Sequence, residues 1–231
     1  MLFISLAVNL VLVAALGYLV HRLGGVKFMW HRIQSGGLAG IYENRNQLLH
    51  QLSIDKNSIV FLGDSLTEYG QWAELLRNNN VKNRGIAGDT TWGLLRRLQS
   101  ITEAQPKAIF LMIGVNDFLF TDASEILENY GKIIEQIQAE APNSQLFIQS
   151  LLPVNQQVKK SVFDNSSIVA LNVDLEKLCQ EKELPFINLH PLLLNDQNEL
   201  KAAYTADGIH LNGNAYQIWK AAVQPIIGSL D

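Results

Sequence analysis

The feature that most constrains this chain is a regular exchange of short apolar runs for helical patterns from about residue 58 onward. Residues 58–62 and 108–113 are apolar runs of strand length, too short for helices, and residues 81–86, 145–149 and 186–189 are further strand candidates. Between and after them, apolar residues fall at helical spacing over residues 72–77, 91–101, 124–139, 167–182 and 213–227. Strands separated by helices run parallel, and right-handed crossovers lay those helices on both faces of the sheet. The expected fold is a three-layer α/β/α sandwich around a five-stranded parallel sheet. In such sheets ligands bind beyond the carboxyl ends of the strands, so the loops there are where chemistry is sought.

The N-terminus differs in kind. Residues 2–20 carry no charge, and ~19 residues at ~1.5 Å each approach the ~30 Å of a bilayer core. The expectation is a retained single-pass transmembrane helix. Its rival, a cleaved signal peptide, lacks a basic leading region. His21, Arg22, Lys27, Phe28, Trp30, His31 and Arg32 follow, cations and aromatics suited to the headgroup layer. With cations on that flank alone, the positive-inside rule places the main domain on the cytoplasmic face. Small residues over 35–40 read as a linker before a helical pattern over 41–52. The expected organisation is an anchor over 1–22, an interfacial segment and linker over 23–40, and one domain over 41–231.

Composition narrows the function. With 18 Lys and Arg against 22 Asp and Glu, the formal charge of -4 offers no basic footprint for nucleic acid. Cys179 is the single cysteine, so an intramolecular disulfide and a Cys-rich metal site are both excluded, and its helical context reads as a core thiol. No Gly-x-Gly-x-x-Gly follows the first strand, and neither a Walker-type loop nor His-Glu-x-x-His occurs.

Four loops carry candidate chemistry. The first strand ends in Gly63-Asp64-Ser65-Leu66, a serine on a tight turn leading into a helix. Alone, Asp64 and Ser65 read equally as turn and capping residues. Asp207-Gly208-Ile209-His210 puts a carboxylate three residues from an imidazole, a spacing at which it can accept from one ring nitrogen while the other faces a nucleophile. A serine hydroxyl needs such a base, because it is essentially never ionised near neutral pH. Gly88, after the second strand, and Asn116, after the third, would join the Ser65 N–H as donors to an oxyanion, although each is also an ordinary turn residue. Asp89 and Asp117 lie on the same edge and compete with Asp207 as partner of the histidine, and the three-residue spacing favours Asp207. His21, His31, His50 and His190 have no comparable setting.

Taken in order, Gly-Asp-Ser-Leu, the later glycine, Gly-x-Asn-Asp and Asp-x-x-His resemble the SGNH, or GDSL-type, hydrolase family over residues 59–227. The four residues behind the name are Ser65, Gly88, Asn116 and His210. The resemblance implies a flavodoxin-like fold and ester hydrolysis through an acyl-enzyme, with no cofactor. Residues 81–90, 111–117 and 204–212 are similar to the branch containing platelet-activating-factor acetylhydrolase catalytic subunits and bacterial carbohydrate O-acetylesterases. That branch implies a short acyl group, acetyl foremost, on a carbohydrate or other small-molecule ester. A lysophospholipase- or thioesterase-like lipid hydrolase is the alternative within the class, and a catalytically silent binding module the alternative outside it. The sequence leaves a homo-oligomer open.

Overall fold

The computed structural model describes residues 36–230 and, ahead of them, Asn9, Val13, Ala14, Gly17 and Tyr18. The anchor expected over residues 2–20 and the interfacial segment after it lie outside the described residues apart from those five. Among the described residues no helix is long and apolar enough to cross a membrane. The chain divides into a unit Met1–Asn44 and a unit Arg45–Asp231, and the second carries the sheet and the candidate site.

Helix α1 spans Gly36–Gln51, which corrects one expectation: the glycine-rich stretch read as a linker is helical from Gly36. Each glycine disfavours a helix by only ~1 kcal/mol, which the good formers after it can carry. The next elements are β1 (Ile59–Gly63), α2 (Ser65–Glu68), α3 (Trp72–Leu76) and β2 (Val81–Gly85). They are followed by α4 (Thr91–Arg97), α5 (Gln99–Thr102), β3 (Ala108–Met112), α6 (Ala123–Glu140) and β4 (Gln145–Gln149). The last are α7 (Asn165–Glu181), β5 (Phe186–Ile187) and α8 (Gly213–Gly228). The helical pattern over 91–101 is thus two helices joined at Leu98, and the fifth strand is two residues long because a 3-10 turn at His190–Leu193 follows closely.

All five strands are parallel, in the order β2-β1-β3-β4-β5. One face of the sheet is aromatic. Phe61, Phe110 and Phe147 stand in register on β1, β3 and β4, with neighbouring ring centroids 5.0 and 4.7 Å apart. Trp72 of α3 stacks on Phe61 at 4.2 Å and meets Trp219 of α8 edge-on at 4.7 Å. Period-2 alternation sends Val60, Leu62, Ile109 and Leu111 to the other face, and all four are fully buried. There Ile126, Tyr130, Ile133, Ile134 and Ile137 give α6 a buried stripe. The sequence order reverses direction at β1, between β2 and β3, and the loops after those strands hold the candidate residues.

Candidate active site

Ser65 is the first residue of α2, at the end of β1. Asp64 caps that helix, accepting from the Leu66 N–H at 2.9 Å. The turn is pinned on every side. A Cβ on Gly63 would run into the Met112 carbonyl, and one on Gly85 into the Glu68 N–H, so both strands pass too close for any side chain. Arg97 donates to the Gly63 carbonyl at 3.1 Å, Trp72 to the Thr67 carbonyl at 2.8 Å, and the Tyr216 hydroxyl to the Leu66 carbonyl at 2.7 Å.

Across the opening, Ser65 Oγ lies 3.1 Å from His210 Nε2, and His210 Nδ1 lies 2.6 Å from Asp207 Oδ2. These three residues, 145 positions apart at the extremes, form one hydrogen-bonded line. Asp207 also accepts from the backbone N–H groups of Ile209 at 3.0 Å and His210 at 2.8 Å. Partial burial alone pushes its carboxyl up, but the His210 ring and these two N–H groups outweigh that and hold it well below the usual carboxylate range. It is therefore an anion wherever the site works. The loop is built locally: Thr205 Oγ1 accepts from the Gly208 N–H at 2.9 Å, and the Gly208 carbonyl accepts from Asn155 at 2.7 Å. Gly208 has φ +84, a conformation suited to glycine.

The expected oxyanion donors sit on the neighbouring loops. Residues 86–89 form a turn closed by Asp89 N–H to the Ile86 carbonyl, with Gly88 exposed at φ +76 as the third residue. Asn116 donates one amide hydrogen to the Asp89 carbonyl at 2.9 Å, which aims the side chain and leaves its second N–H.

Neither rival carboxylate approaches the histidine role. Asp89 is buried against Arg97 at 2.8 Å, and Asp117 accepts from the Thr91 N–H at 3.0 Å and from the Thr91 hydroxyl. Sequence reasoning missed the supports. Arg97 is a charge on the buried side of its helix, which is the one signal that marked it. Glu68 Oε2 accepts from the Ala87 N–H at 2.6 Å while Oε1 pairs with Arg45 at 3.2 Å, tying the serine helix to the Gly88 turn. The Tyr69 ring packs 5.2 Å from that of His210. Burial first, then the charges of Asp89 and Asp117, push the Asp64 carboxyl up to about 7, against the Leu66 hydrogen bond. Burial likewise lifts Asp117 to about 7 despite its bonds from Thr91.

Comparison with known proteins places the chain in a family. The GDSL-like Lipase/Acylhydrolase family matches residues 61–218. Platelet-activating factor acetylhydrolase IB subunit alpha2 of Rattus norvegicus is 26% identical over 165 residues, 68% of this chain and 70% of that protein. A Streptococcus pneumonia structure, provisionally described as a platelet activating factor, is 28% identical with a TM-score of 0.77, covering 86% of this chain and 98% of that one. An acetyl xylan esterase shares the fold at 20% identity and a TM-score of 0.63, covering 74% and 99%. The chain belongs to the GDSL-like lipase/acylhydrolase family and is an ester hydrolase of that class.

Proposed function

We propose that this acylhydrolase removes short acyl groups, acetyl foremost, from a carbohydrate or small-molecule ester through an acyl-enzyme on Ser65. The observation that carries the reading is the continuous line from Ser65 Oγ through His210 to Asp207. Ser65 Oγ attacks the ester carbonyl carbon as its proton passes to His210 Nε2. The tetrahedral oxyanion takes hydrogen bonds from the N–H groups of Ser65 and Gly88 and the amide of Asn116. His210, now an imidazolium held by Asp207, returns the proton to the leaving alkoxide as the C–O bond breaks. Water then repeats the sequence on the acyl-enzyme, giving its proton to His210 and releasing the carboxylic acid and free Ser65. Losing one oxyanion donor would cost ~3 kcal/mol of transition-state stabilisation.

Acetyl as the acyl group is supported by the names of relatives, an acetylhydrolase subunit and an acetyl xylan esterase. A lipid acyl ester is the second reading, favoured by the uncharged run over residues 2–20 and the cations and aromatics after it, which we take as a membrane tether. The deciding experiment profiles p-nitrophenyl acetate, long-chain p-nitrophenyl esters and acetylated oligosaccharides, with Ser65→Ala as blank. Preference for acetyl supports the first reading. A marked preference for long chains overturns it, and a Ser65→Ala variant as active as the parent overturns the assignment of the nucleophile.

A further inference from the structure

A cavity of about 180 Å³ lies away from the Ser65–His210 pair, lined among others by Leu49, His50, Ser53, Arg84, Arg97 and Ser100. Arg84, on β2, is 3% exposed. One terminal nitrogen donates to the Asn83 carbonyl at 2.8 Å, and the other to the carbonyls of Leu52 at 2.8 Å and Ser53 at 3.3 Å. Its Nε is buried and donates to nothing.

The charge around it does not balance. Arg97 is matched by Asp89 and Arg45 by Glu68, whereas among the described residues no carboxylate lies within ion-pair distance of Arg84. Burial, then the charges of Arg45 and Arg97, lower the Arg84 guanidinium to about 10, so at neutral pH it keeps its proton. A buried cation with only carbonyl dipoles for company is unfavourable unless a counter-charge reaches it. The carbonyls just beyond the C-terminus of α1 supply part of that charge. The cavity has room for the rest.

We propose that this cavity is a binding site for a small, singly charged oxyanion, a carboxylate or monobasic phosphate, held by the Arg84 guanidinium. The Nε–H and the second hydrogen of the nitrogen that holds Asn83 remain as charge-assisted donors to such a group, and one negative charge closes the imbalance. Arg97 lines the same cavity and holds the Gly63 carbonyl and Asp89. An occupant therefore braces the ends of β1 and β2. The site is independent of the ester chemistry, so either reading can fail without the other.

The test is thermal unfolding of the full chain at pH 6 and fixed ionic strength, with chloride replaced by phosphate or by acetate. At least one oxyanion should raise Tm saturably by about 2–4 °C. Whichever one acts identifies the group preferred. Ser53 is exposed, so Ser53→Asp places a carboxylate at the cavity without disturbing the core; this variant should be more stable in chloride and lose the oxyanion response. Equal Tm in chloride, phosphate and acetate, or an undiminished response in Ser53→Asp, overturns the proposal.

Discussion

The two arms of the candidate active site are held in opposite ways. The serine arm is fused to the sheet: Asp64 is 1% and Ser65 7% exposed, and glycine contacts, a buried guanidinium, an indole and a phenol fix the turn from different elements. The histidine arm is a half-open loop, with the side chains of His210 and Asp207 36% and 41% exposed, held by bonds within itself and to Asn155. A buried, cross-linked turn couples its geometry to the stability of the whole domain. A locally tied loop sets reactivity while contributing little to folding. Damage to the first should be read in Tm, and damage to the second in kcat.

The largest expected effect separates two aspartates. Asp207→Asn removes the anion that orients His210 and stabilises its charged form, so kcat should fall by ~10²–10⁴, with a loss of Tm smaller than that of Asp89→Asn because Asp207 is half exposed. Asp89→Asn breaks the buried pair with Arg97 and should cost ~3–5 kcal/mol of stability, with a much smaller loss of kcat per folded molecule. Paired measurements of kcat and Tm check this, and equal losses of activity would break the comparison. A smaller effect separates two glycines. Gly63→Ala must push β1 from β3 and should cost ~2–3 kcal/mol as overpacking does. Gly213→Ala, at the start of α8 where a Cβ meets nothing, should range from neutral to ~1 kcal/mol stabilising. Denaturant titration of both variants measures the gap.

The same contrast explains what the sequence disclosed. Sheet, strand order of appearance and the candidate site residues were legible because each leaves a local mark: apolar runs with period, a serine after a strand, an aspartate three residues before a histidine. The assignment of Asp207 over Asp89 and Asp117 rests on spacing and on the family resemblance, and the structure places only Asp207 against His210. What stayed hidden was long-range support. Nothing near Arg97 in the chain announces its bond to Gly63, 34 residues away, and nothing near Glu68 announces Ala87, 19 away. The split of the 91–101 helix and the helical Gly36 were missed because weak local preferences yield to packing and propagation.

The smallest effect is a slope, and its sign differs between the arms. Asp64 and Asp117, lifted to about 7 in the folded protein, keep their protons between about pH 4 and 7, where the unfolded chain has released its own. The folded state then binds more protons, so stability falls as pH rises through that window, by up to ~1.4 kcal/mol per pH unit for each group. Asp207 is shifted the other way, so its contribution is present above about pH 4 and is lost on acidification below it. Asn at position 64 can still accept from Leu66 but carries no charge, so Asp64→Asn should flatten the decline between pH 4 and 7. Asp207→Asn should leave that decline intact and remove only part of the loss below pH 4. Urea midpoints of the parent and both variants from pH 3 to 8 distinguish these outcomes; a parent curve rising from pH 4 to 7 would show that burial is not what governs Asp64 and Asp117.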